Sequence, residues 1–136
     1  MSDFILPEGW PRPSGYAQGV VASGRVLAVS GQIGWNERNE LVGPAFLEQA
    51  LQALRNIVAI VRAAGGGPEH LMRLTWYVVD CGEYREAMQA LGAGYREIVG
   101  SNYPAMTLVQ VAALLEEGAR VEIEGTAVLP QGGGAA

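Results

Sequence analysis

Glu122 and Glu124, two carboxylates two positions apart, are the side chains of this sequence best suited to moving a proton. In an extended segment both project from one face, while Val121 and Ile123 fill the other. The pair therefore either faces solvent or presents a carboxylate that holds or deprotonates a water in a cleft or subunit interface. Ser30-Gly31-Gln32 closes an apolar run, where a glycine either admits close approach of a ligand to the backbone or marks a β-bulge. The remaining inventory is thin. His70 is the lone histidine and cannot supply a multi-ligand zinc site, so it is expected at a surface or edge. Cys81 has no histidine at motif spacing, and a catalytic thiol needs a base or local positive charge. Gly31-Gln32-Ile33-Gly34 and Gly65-Gly66-Gly67 lack the spacing and the trailing Lys-Ser/Thr or helix start of a phosphate loop. Neither a metal nor an organic cofactor is expected.

The elements that must carry these groups follow from period and punctuation. Pro7, Pro11 and Pro13 with Gly9 and Gly15 predict an irregular arm over residues 1–15. Gln18–Ala22 and Arg25–Ser30 read as strands, joined by Ser23-Gly24 as a tight hairpin. Asn36–Asn39 is a polar turn, and Gly43-Pro44 opens a helix. Leu47, Ala50, Leu51, Leu54, Ile57, Val58 and Val61 recur at three- and four-residue steps, an amphipathic helix of about five turns that Gly65-Gly66-Gly67-Pro68 stops. Leu74–Asp80 reads as a largely buried strand. Glu83–Val99 reads as a second helix, with Gly92 and Gly94 each weakening it by about 1 kcal/mol relative to Ala. Met106–Ala112 and Arg120–Val128 are two closing strands. The order β-β-α-β-α-β-β predicts an α+β domain with both helices on one face of a mixed sheet.

The chain of 136 residues, 49% hydrophobic and 17% charged, has the composition of one globular domain rather than a disordered segment. That domain is expected over residues 1–130, with a disordered Gly-rich tail over 131–136. Its apolar runs are too short to span a bilayer. Fourteen acidic residues stand against nine cations, all arginine, for a net charge of −5. Such a surface repels phosphate backbones, so neither nucleic acid nor membrane is an expected partner. One cysteine cannot form an internal disulfide, and the N-terminus has no basic n-region or long apolar h-region, so a cytoplasmic location is expected.

Five segments in register resemble the RidA/YjgF family of reactive-intermediate deaminases, also known as the endoribonuclease L-PSP family. They are Tyr16-Ala17-Gln18-Gly19, Val29-Ser30-Gly31-Gln32-Ile33, the helix around Ala53-Leu54-Arg55-Asn56-Ile57, Pro104-Ala105 with Val109-Gln110-Val111-Ala112, and Val121-Glu122-Ile123-Glu124. Together they cover about residues 14–129. The resemblance implies a chorismate-mutase-like α+β fold, a homotrimer with ligand sites in the clefts between subunits, and a small-molecule metabolite as substrate. It implies hydrolytic deamination of an imine or enamine with no metal or organic cofactor. Carried over by position, Glu122 positions and activates the water, Tyr16 lines the cleft, and Ser30, Gly31 and Gln32 border the substrate.

One departure bears on specificity. Where the family's deaminases carry an arginine after Pro-Ala that clamps the substrate carboxylate, this chain has Met106, followed by Thr107. The family's cleft asparagine in the second helix has no clear counterpart near Met88 or Gly92. The expectation is therefore a deaminase of altered specificity, with a larger or more apolar pocket lined by Met106 and one of Trp10, Trp35 and Trp76, unless each tryptophan serves packing. Arg12, Arg73 and Arg120 are the candidates to replace the missing cation. The alternative is a trimeric binding or regulatory protein that keeps the clefts without the chemistry. Ribonuclease activity is disfavoured by the acidic charge and the absence of Lys and of a histidine pair.

Overall fold

The computed structural model describes residues 2–132. Along the chain run strands β1 (Ser2–Ile5), β2 (Gly19–Ala22) and β3 (Arg25–Gln32), helix α1 (Phe46–Ala63), β4 (Leu71–Val78), helix α2 (Cys81–Ile98), β5 (Ala105–Gln110) and β6 (Val121–Leu129). The main sheet has the order β3-β6-β4-β5; β4 and β5 are parallel, and β6 is antiparallel to both of its neighbours. The chain thus makes two helical crossovers, β3-α1-β4 and β4-α2-β5, and β6 then fills the gap between β3 and β4. Both helices lie on one face, as the order of elements predicts.

α1 forms because its apolar stripe meets that face. Ala50, Ala53, Leu54, Ile57 and Val61 are fully buried against Leu74, Val78, Val121 and Ile123 of the sheet. Glu48 Oε1 accepts the Ala45 N–H at 3.1 Å and so holds the chain entering the helix. Gln49 is fully buried at the same end, where its amide donates to Gly43 O and Gly118 O and accepts from Arg120 N. That one buried side chain ties the start of α1 to the loop feeding β6, and its amide oxygen and nitrogen are both paired. α2 is capped by Asp80, whose carboxylate accepts the Gly82 N–H at 2.8 Å.

Two expectations are corrected. The N-terminal arm is not wholly irregular, because Ser2–Ile5 pairs antiparallel with β2, from Ser2↔Ala22 to Ile5↔Gly19. For the same reason β2 and β3 do not form a hairpin across Ser23-Gly24: β2 takes β1 as its partner and β3 takes β6. The dipeptide is a crossing point between two sheets. At Gly24, φ is +150°, and a Cβ there would collide with the Leu129 carbonyl, so the position needs glycine. Strand and helix ends otherwise shift by a few residues from their expected limits. Of the tail over 131–136, Gln131 and Gly132 form a turn, and the rest lies outside the described residues.

Candidate functional site

Alternation along β6 settles where the two glutamates go. Val121 and Ile123 are fully buried under the helices, so Glu122 and Glu124 stand on the opposite, outer face of the sheet. Glu122 lies across from Tyr77 of β4 and Glu124 across from Thr75. Tyr77 Oη donates to Glu124 Oε2 at 3.2 Å. Partial loss of hydration, with the Glu124 carboxylate behind it, raises the Tyr77 phenol above its ordinary value, so the hydroxyl stays a donor. On the other side of Glu122 lies Gly31. The β3–β6 register slips between Val29 and Gln32, a bulge, and it brings Gly31 against the carboxylate. A Cβ on Gly31 would collide with Glu122 along its whole length, since even Cγ is 2.9 Å away. The bulge reading of this glycine therefore holds, and the glycine also makes room for the Glu122 side chain. Ser30 is exposed beside it, and its carbonyl accepts from Gln32 Nε2 at 3.2 Å.

The sheet's other face carries a second feature, a cavity of about 540 Å³ between α2 and the β4–β5 edge. Met106 belongs here. It registers with the fully buried Leu74, on the helix side, whereas Thr107 registers with Thr75 on the outer side. Tyr16 reaches the same cavity because Ala17 N donates to Pro104 O at 3.0 Å, pinning this stretch to the start of β5. Trp76 lines it as well and is only 2% exposed, yet its indole Nε1 has no hydrogen-bond partner. Tyr84, Met88, Leu91 and Tyr95 form the α2 wall. Tyr95 is held by donation to Asn102 O at 2.7 Å and stacks on Tyr103, with ring centroids 5.1 Å apart. Burial pushes the phenols of both Tyr84 and Tyr95 upward, so each is neutral.

The site residues expected from sequence therefore divide into two groups. Glu122, Gly31, Ser30 and Thr107 share the outer face or its edge; Tyr16 and Met106 share the cavity. Gln32 joins neither, turning to a shallow depression beside Asn36 and Asn56. Of the candidate cations, Arg120 is held by Glu83 at 3.0 Å, Arg73 is exposed on the outer strand face, and Arg12 borders a separate depression near Phe4. Trp76 is the tryptophan at the cavity, and it serves the core too; Trp10 is half exposed on the arm, and Trp35 lies by Gln32. His70 has an edge role, Nδ1 accepting the Gly67 N–H at 3.0 Å. Among the described residues, no cluster of three His, Cys, Asp or Glu could hold a metal, and no helix is long and apolar enough to cross a membrane.

Sequence reasoning placed only Met88 and Gly92 of α2 near the cleft and missed Tyr84, Leu91, Tyr95 and Arg96, whose guanidinium lies at the cavity beside Gly92. The signal was present. Residues 84, 88, 91 and 95 are spaced by four, three and four, one helical stripe, which the glycines at 92 and 94 interrupt in the sequence.

Comparison with known proteins gives this geometry a context. The family profile described as Endoribonuclease L-PSP matches residues 11–129. The 2-iminobutanoate/2-iminopropanoate deaminase of Homo sapiens is 34% identical over 114 residues, 83% of this chain and 79% of that protein. The protein of the same name from Escherichia coli (strain K12) is 34% identical over 129 residues, 94% and 98% of the two chains. Among solved structures, a Rid-family protein of unknown function from Yersinia pestis superposes with a TM-score of 0.81 at 35% identity, covering 94% of this chain and 98% of its own.

Proposed function

The chain belongs to the RidA/YjgF, or endoribonuclease L-PSP, family, and on that premise we propose that it hydrolyses an imine or enamine metabolite to a carbonyl compound and ammonia, with Glu122 handling the water. The observation that carries this is the seating of Glu122: half-buried, on a central strand, its carboxylate packed against a glycine whose missing side chain makes room for it. In the reaction, Glu122 accepts a proton from water as the oxygen bonds to the imine carbon, and that proton passes to the nitrogen. The carbinolamine then collapses: Glu122 carries the hydroxyl proton to the amino nitrogen, the C–N bond breaks as the C=O forms, and ammonia leaves. An enamine enters the same path after protonation at carbon gives the imine. General base assistance of this kind contributes about 10²- to 10⁴-fold.

A single substrate can touch both Glu122 and the Met106 cavity only if the two come from different copies, because they face opposite sides of one sheet. A homotrimer with ligand sites between subunits meets that requirement, and a closed cyclic assembly presents one copy's cavity to the next copy's outer face. At the cavity, Met106 offers no donor. A carboxylate that another family member clamps with arginine loses there a charge-assisted contact of about 2–5 kcal/mol, which shifts preference toward substrates held by apolar contact.

Ammonia release from a panel of enzymatically generated imines, small and large, tests both parts. Turnover by the wild type that disappears in Glu122→Gln supports the hydrolase, and a gain on the smallest imino acids in Met106→Arg marks the altered subsite. The bare Met106 subsite also favours a second possibility, a trimeric binding protein that retains the clefts alone. It is selected if the wild type is silent on every imine yet binds keto acids, and if Glu122→Gln binds them equally.

A further inference from the structure

We propose that Gly92 of α2 is a specificity-determining residue, whose missing side chain opens the cavity to an imine carrying a bulky apolar group such as a phenyl ring. The inference rests on the reading that Tyr16 and Met106 contact the substrate. It begins from a misfit between sequence and fold. Glycine inside a helix costs stability through backbone entropy, so each one kept there needs a reason. At Gly94 the reason is packing, since a Cβ would collide with the Leu51 side chain. Gly92 has no such reason. A Cβ there would meet Arg96 Nη1 at 3.8 Å and no other described side chain within 4 Å, and its φ is not left-handed. Arg96 is exposed and can swing aside. The fold thus accepts alanine or leucine at 92 and the sequence has neither. A local rule broken without structural need marks a functional position.

What the missing side chain leaves is space in the cavity. Gly92 lies one helical turn beyond Met88 and two beyond Tyr84, so a side chain at 92 would extend the row with which those two line the cavity. Leu91 and Tyr95, on the adjacent row, are each only 5% exposed and form the base of this wall. At about 540 Å³ the cavity sits within the range that takes whole organic ligands, and a three- or four-carbon imine leaves much of it empty. The tyrosine rings favour an aromatic guest, and the thioethers of Met88 and Met106 adapt to its outline. The guest is therefore an imine or enamine with an aromatic or branched apolar substituent, held by contact rather than by charge. This continues the Met106 subsite, which likewise offers surface and no donor.

NMR titration of the full-length protein with two neutral ketones, 4-phenyl-2-butanone and 2-pentanone, tests this without requiring turnover. Neither carries a carboxylate, so the ratio of the two affinities reads apolar contact alone. The wild type should bind the phenyl ketone at least about tenfold more tightly, the scale of burying one aromatic side chain. Gly92→Leu should bring that ratio to about one, with Gly92→Ala in between, while both variants resist denaturant at least as well as the wild type. Equal affinities in the wild type, no binding of the phenyl ketone, or a wild-type ratio in Gly92→Leu would each overturn the proposal. So would a loss of stability or a change of oligomeric size in Gly92→Leu, since the space would then serve the fold or a neighbouring copy. Arg96→Ala completes the set: if it abolishes the ratio by itself, the guanidinium rather than the space sets the preference and the proposal fails. A wild type that binds the phenyl ketone but releases no ammonia from any imine would overturn the chemistry assigned to Glu122 and leave this selectivity standing.

Discussion

In the proposed reaction Glu122 must be positioned and partly dried without being buried, and its neighbours are what bear on this. Tyr77 stands across the strand pair, Gly31 lies alongside, and the side chain remains half exposed. The contact with Gly31 yields a sharp prediction. Gly31 has no left-handed φ, so alanine is compatible with the backbone, and the added methyl must displace Glu122 rather than strain the chain. Gly31→Ala should therefore lower turnover by about tenfold to a hundredfold, the scale of a misplaced reacting group, while the thermal midpoint moves by only a few degrees. Unfolding of this variant, or activity equal to wild type, would show that the contact does not position the carboxylate. The outward direction of Glu122 was legible in the sequence, because alternation with Val121 and Ile123 allows one arrangement. Its contact with Gly31 was not, because it depends on a one-residue slip in β3, and a bulge has no signature in Val29-Ser30-Gly31-Gln32 beyond the glycine itself.

The two glycines of α2 separate two effects that sequence alone merges. Both weaken the helix by the same backbone entropy, about 1 kcal/mol relative to alanine. Their surroundings differ. A Cβ at Gly94 would collide with the Leu51 side chain, so this glycine lets α1 and α2 approach closely, while a Cβ at Gly92 would meet only Arg96 Nη1 at 3.8 Å. Gly92→Ala should raise stability by about 0.5–1 kcal/mol, and Gly94→Ala should gain less or lose, because displacing a packed leucine costs about 1–3 kcal/mol. Chemical denaturation of the two variants decides it; equal gains would mean that Leu51 moves freely. Local pattern revealed both helices and every strand of the main sheet, since each carries its own period. It failed at β1, four residues ahead of a proline-rich stretch, and at the supposed hairpin, because pairing partners are chosen over long range. The crossing at Gly24 exists only because Leu129, more than a hundred residues on, occupies the space beside it.

At the scale of the molecule, the division of the site is the central physical fact. Met106 and Leu74 share the helix face; Glu122 and Tyr77 share the outer face, so a sheet's thickness separates the cavity from the carboxylate. The outer side and the arm also leave Val21, Val26 and Phe4 more than half exposed, apolar area that an assembly would cover. If each site takes its cavity from one copy and its carboxylate from the next, two inactive variants must repair each other. Glu122→Gln lacks the base, and Met106→Glu sets a negative charge against the substrate's carboxylate; each alone should be silent. Mixed one to one, dissociated and reassembled, the two should form interfaces of which about a quarter pair an intact cavity with an intact Glu122, and activity should return to about that fraction of wild type. Mixing without dissociation is the control and should restore nothing. A site contained within one protomer predicts no recovery under either condition, and in that case the carboxylate that serves the cavity would have to be sought on α2 rather than on β6.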